Sequence, residues 1–212
     1  MVKARIAEHC RQSNGTKWFI STDKCDEKAC VVATQWSQLQ TPFFQSGDRL
    51  IVAMNGSFYH GLEHLQVRLR TMSEDHKHGS EMQMSTFLLN FHEAVLLEKR
   101  VPEELYLGAD NTVKETKNNY GMWWCMWLLC VLFMKGVRLH SICLMFLLVG
   151  HTHDENDRFF SRMRVAIAGR DYYSVAGLMQ LIVDGLPGFH LRHSHLHRSE
   201  ERRVGKECRS RW

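Results

Sequence analysis

Leu105-Tyr106-Leu107-Gly108-Ala109-Asp110 is an apolar run that ends on a carboxylate, and Trp18-Phe19-Ile20-Ser21-Thr22-Asp23 repeats that pattern near the start of the chain. Short apolar runs closed by polar residues read as buried strands. Each run therefore predicts a strand that carries an aspartate at its C-terminal end. A third acid, Asp157, follows the long apolar stretch ending at Leu148-Val149-Gly150 and falls at the start of an expected helix. Hard divalent cations take oxygen ligands, and an in-line phosphoryl displacement needs both its attacking and leaving oxygens clamped. Two strand-end carboxylates plus one on a helix suit that chemistry.

Outward from these runs, residues 3–12 predict a short helix and Asn14-Gly15 a turn. Residues 49–55 and 56–60 read as strand, and Leu65-Gln-Val-Arg-Leu-Arg70 alternates apolar and polar as a half-exposed strand does. Ser80 with Gln83 forms a capping-box pattern ahead of a helix to about residue 98, striped by Met84, Phe87, Leu88, Phe91, Ala94 and Val95. Val113 to Met134 reads as the most buried helix, and Leu139 to Val149 as a central strand covered on both faces. Thr152 with Glu155 is a second capping-box pattern. It opens a helix with Phe160, Met163 and Ile167 inward, and a last helix to about Val183 precedes the breakers Asp184-Gly185 and Pro187-Gly188, which end the ordered region. Three strands, helix, strand, helix, strand, helix is an α/β succession. It predicts a ribonuclease H-like mixed sheet of three antiparallel strands then two parallel strands, flanked by helices.

The chain has 212 residues with 27 Lys/Arg and 23 Asp/Glu. Its last fifteen residues, Arg198 to Trp212, look like the in-frame translation of a sequencing adapter. They hold six of the basic and three of the acidic residues, which leaves 21 basic against 20 acidic elsewhere. With charge so balanced, DNA contact has to come from a local patch. The expected organisation is an N-terminal remnant at 1–16, one domain at 17–188, a truncated continuation at 189–197 and the adapter-like segment at 198–212, so the chain is expected to be a fragment. No secretory signal is expected. The apolar stretch Met122 to Met134 spans only about 20 Å as a helix, against about 30 Å for a hydrocarbon core, so no membrane association is expected. Cys25/Cys30 and Cys125/Cys130 lack zinc-ribbon spacing, and a reducing, nuclear or cytoplasmic setting is expected.

Three motifs carry a family resemblance. Asp23-Lys-Cys-Asp26-Glu-Lys28 resembles an Asp-x-x-Asp-x-Lys signature, Asp110-Asn111-Thr-Val-Lys114-Glu-Thr-Lys117-Asn118 an Asp-Asn-x-x-Lys-Glu-x-Lys-Asn signature, and Gly150-His151-Thr152-His153 with Asp157 a Gly-His-Thr-His-x-x-x-Asp signature. Together, over residues 17 to 188, they resemble transposase-derived DDE domains of mobile-element proteins, a ribonuclease H-like group catalogued as a domain of unknown function. The resemblance implies a polynucleotidyl transferase or nuclease acting on DNA with two Mg2+ or Mn2+ ions. Asp23, Asp110 and Asp157 are its ligands, with Asp26 and Asp154 as alternatives, and their carboxylates should converge within about 4 to 8 Å around the two ions. His151 and His153 are candidates for proton transfer or metal ligation, and Asn111 stands next to a ligand. Lys24, Lys28, Lys114, Lys117, Arg158 and Arg162 neighbour the motifs and supply the expected phosphate-contacting patch. Two further outcomes stay open, a catalytically inactive domesticated descendant that binds nucleic acid or protein, and a ribonuclease H-like nuclease without strand transfer. Enzymatic activity is thus undecided at this point, and a homo-oligomer is compatible with each outcome.

Overall fold

The computed structural model describes residues 2–25, 31–32, 50–64, 66–72, 79–109, 118–146, 155–187 and 191–196. In chain order the elements are α1 (Val2–Arg11), β1 (Lys17–Lys24), β2 (Val31–Val32), β3 (Leu50–Ile51), β4 (Ala53–His60), β5 (Val67–Met72), α2 (Ser80–Glu98), β6 (Glu104–Ala109), α3 (Asn119–Met134), β7 (Ser141–Phe146), α4 (Glu155–Ile167), α5 (Val175–Gly185) and β8 (Leu191–Leu196). The main sheet has the order β7-β6-β1-β4-β5-β8, and β2 pairs with β3 in a separate ladder. β1, β4 and β5 are antiparallel neighbours, while β6 runs parallel to β1 and β7 parallel to β6. These five strands with their helices form the ribonuclease H-like arrangement.

Alternation along the strands divides the core into two layers. Trp18 and Ile20 of β1 face α2 together with Leu105 and Leu107 of β6, joined by Phe87 and Phe91 from the helix stripe. Met54 and Phe58 of β4, with Val67 and Leu69 of β5, face α4 and α5 through Phe159, Phe160, Met163, Leu178 and Ile182. β1 and β6 lie inside the sheet and are covered on both sides, which is why each reads as a continuous apolar run. The turn at Asn14 and Gly15 is made by positive φ angles of 50° and 80°. Arg100 covers Gly15 where a Cβ would stand.

Polar residues on the α2 side of the inner strands are paired through Asn90, which is fully buried. Its amide nitrogen donates to Ser57 Oγ at 2.8 Å and to Thr22 Oγ1 at 3.2 Å, and its oxygen accepts from Arg70. Removing such a hub leaves buried groups unsatisfied, at about 1–3 kcal/mol. Asn90→Ala is expected to lower stability in urea titration by that amount without changing the slope of the transition.

Several expectations are corrected. Ser80 does not cap α2, whose N-cap is Gly79 without a side-chain bond; Ser80 Oγ instead accepts from Asn118, the N-cap of α3. The ordered region does not end at residue 188, because β8 extends the sheet alongside β5 in parallel register from Val67↔Leu191 to Met72↔Leu196. α3 is not the most buried helix. Only Gly121, Cys125 and Leu128 are buried in it, and Trp123 and Trp127 are 68% and 54% exposed. Nor is β7 a central strand. It forms an edge of the sheet, with Ser141 and Cys143 exposed. Apolar composition signals that a surface is to be covered, but the edge position leaves the outer side of α3 without cover from the described residues.

Candidate metal centre

Asp23 and Asp157 lie on one face of the sheet. Asp23 is the penultimate residue of β1, half-buried, with its Oδ1 accepting from the Lys24 backbone N–H at 2.8 Å. Asp157 is in the first turn of α4, also half-buried. Two contacts seat α4 along β1. The buried Asn156 donates from Nδ2 to Ser21 Oγ at 2.9 Å. The Phe160 ring covers Gly56, where a Cβ would stand 2.9 Å from Cζ. Gly56 is the cross-strand partner of Asp23.

Residues two apart on a strand share a face, as do directly opposed partners. Ser21, Asp23 and the covered side of Gly56 therefore all look towards α4. The rise from 156 to 160 along a helix is about 6 Å and from 21 to 23 along a strand about 6.6 Å. Helix and strand thus advance together past the two contacts, and Asp157 sits between them in sequence, three residues from Phe160. Gly56 leaves the room that the Phe160 ring fills, since a Cβ there would meet the tip of the ring.

A second link holds the N-terminus of α4. His60 is buried, its ring stacked on Phe19 at 5.5 Å between centroids. Nε2 lies 2.8 Å from Glu155 Oε2, and Nδ1 lies 3.2 Å from Arg11 Nη2. Arginine can only donate. Nδ1 is therefore the acceptor of the Arg11 contact, and Nε2 faces the Glu155 carboxylate. The interaction with His60 holds the Glu155 carboxyl below its ordinary value against an opposing effect of burial. A lowered carboxylate stabilises the fold above the ordinary pKa of 4.5, and the contribution is lost as pH falls through the lowered value. Glu155→Gln is expected to reduce stability at neutral pH by up to about 1 kcal/mol, as for other half-exposed pairs. Thermal melts across pH should show the gap to wild type closing in acid.

Of the other anticipated site residues, Lys24 ends β1, and Arg158 and Arg162 are exposed on α4. Asp26, Lys28, Asp110, Asn111, Lys114, Lys117, His151, His153 and Asp154 lie outside the described residues, as does the segment 197–212. Sequence reading missed the residues that seat α4. Asn156 was accessible to it, because it falls on the same helical stripe as Phe160, Met163 and Ile167, and a polar residue on an inward stripe needs a partner. His60 was not, since its partners Arg11 and Glu155 are remote in sequence.

A separate grouping of Glu63, His64 and Glu98 brings possible ligand atoms within 4.8 Å of one another. Its acids already serve Arg100, at 3.3 Å from Glu63 and 3.5 Å from Glu98. Glu98 Oε1 also accepts the backbone N–H groups of Glu63 and His64 at 3.0 and 2.7 Å. A cation there would have to displace these bonds, and the grouping reads as a clamp on the β4–β5 turn.

The strand order and the helix placement define a ribonuclease H-like α/β domain. A family profile described as Domain of unknown function (DUF7869) matches residues 44–196, more than two thirds of the chain, and the chain belongs to that family. Asp110 and Asp157 fall inside the matched span, and Asp23 precedes it. No curated protein and no solved structure matches the chain.

Proposed function

We propose that the chain is a DDE-type polynucleotidyl transferase or nuclease domain derived from a mobile element, cleaving or joining DNA phosphodiesters with two Mg2+ or Mn2+ ions held by Asp23, Asp110 and Asp157. The observation that supports this reading is that Asp23 stands on the sheet face that α4, the helix bearing Asp157, covers through the Asn156–Ser21 bond and Phe160 over Gly56. Ser21 pairs with Gly108 in the parallel β1–β6 ladder. Two residues beyond Ser21 is Asp23, and two residues beyond Gly108 is Asp110. A site at the C-terminal ends of adjacent parallel strands is where open α/β sheets bind ligands.

In this reading the ions, when bound, activate water or a 3′ hydroxyl and stabilise the leaving 3′ oxygen. The half-buried carboxylates of Asp23 and Asp157, together with Asp110, would hold them, while Lys24 on β1 and Arg158 and Arg162 on α4 would meet the phosphate backbone. His151 and His153, close to Asp157 in sequence, are the candidates for proton transfer.

Plasmid nicking by the full chain tests the reading. Supercoiled DNA is expected to be nicked with Mn2+ or Mg2+ and to stay intact with EDTA or Ca2+. Metal-independent nicking, or none with either ion, would count against it.

A further inference from the structure

α3 presents an apolar face to solvent that nothing in the catalytic reading uses. Its exposed positions are 119, 120, 122, 123, 126, 127, 130, 133 and 134. Most follow one another by three or four residues, the spacing of a single broad helical stripe. The stripe holds Met122, Trp123, Met126, Trp127, Phe133 and Met134, each between about half and four fifths exposed. Gly121, Cys125 and Leu128 point the other way, into the protein.

The geometry points to this face as a two-fold dimer interface, occupied by α3 of a second copy of the chain. Area is the first argument. With Tyr120 at 49%, the seven large side chains leave uncovered roughly 900 Å2, at about 200 Å2 for a fully exposed large side chain. That exceeds the largest apolar patch of a typical monomer, about 300–600 Å2. It matches the share of about 800 Å2 that each partner gives to a standard interface.

Charge is the second argument. Asn119–Met134 contains no Lys, Arg, Asp or Glu. A strongly charged partner finds nothing complementary there, and an interfacial membrane helix relies on Lys and Arg along its polar face. An uncharged surface rich in Trp and Met is the composition of an interface core. A second copy supplies the same surface, and two-fold pairing is the commonest way for it to do so. The three-and-four spacing also allows the side chains of one α3 to enter the grooves of the other.

The test is sedimentation velocity with light scattering on the full chain through the micromolar range. Wild type is expected at twice the protomer mass of 24.8 kDa, and the double variant Trp123→Glu, Trp127→Glu at the protomer mass. Both tryptophans are exposed in the protomer, so circular dichroism of the variant should be unchanged. Met126→Lys gives an independent disruption should the double variant fold poorly, and diluting wild type should shift its Trp emission to the red as the rings return to water. A wild type that stays monomeric, including one that instead binds lipid vesicles, overturns the proposal. So does a dimer that survives both sets of substitutions.

Discussion

Asp23→Asn is expected to reduce metal-dependent DNA cleavage about a thousandfold while leaving the fold intact. A pair of catalytic ions stabilises the transition state by several kcal/mol, and each 1.4 kcal/mol or so is tenfold in rate. Losing a ligand charge forfeits most of that. The substitution conserves volume, and an Asn oxygen can keep the bond that Asp23 Oδ1 accepts from Lys24 N–H. In the absence of metal the variant should melt no lower than wild type, because removing one of several clustered carboxylates relieves repulsion. With Mn2+ the wild type should gain stability by binding the ion in the folded state, and the variant should gain much less. Parallel nicking assays and thermal melts check both halves. A variant that cleaves at the wild-type rate sinks the assignment of Asp23.

Phe159→Ala is expected to cost about 3–5 kcal/mol, the range for truncating a buried aromatic. The side chain is 1% exposed. It meets Phe58 and Phe160 edge-on, at 5.6 and 5.7 Å between centroids, so it fastens α4 to β4. For a chain of this length the melting temperature should fall by about 10 °C or more. Val165→Ala on the same helix, 77% exposed in the native chain, should change little. Mn2+ affinity should fall with Phe159→Ala as well, since the helix it anchors carries Asp157. Equal melting temperatures for the two variants would mean that α4 is not seated as described.

How much of this was legible depended on where each element sits in the sheet. β1 and β6 are covered on both faces, and their apolar runs announced them together with the acids at their ends. The α2 stripe was read correctly because Met84, Phe87, Phe91 and Ala94 all face one core. α3 and β7 misled, since an apolar composition that signals cover by the chain's own core equally signals cover by another copy. β8 went unread because breakers at 184–188 precede it, and its pairing with β5 bridges more than a hundred residues. Within the site, the individual acids were visible as residues at strand and helix ends. The seating of α4 over β1 was not, because it depends on Asn156 meeting Ser21 across 135 positions and on a glycine that admits Phe160.

The shared metal centre is tested most directly by electron paramagnetic resonance of the full chain titrated with Mn2+. Two ions bridged by common carboxylates lie about 4 Å apart, close enough for their spins to couple. Wild type should give the coupled-pair spectrum as the second ion binds, and Asp23→Asn and Asp157→Asn should each abolish it. A spectrum of isolated Mn2+ only in the wild type, or a coupled signal untouched by either substitution, would contradict a centre built from these two aspartates.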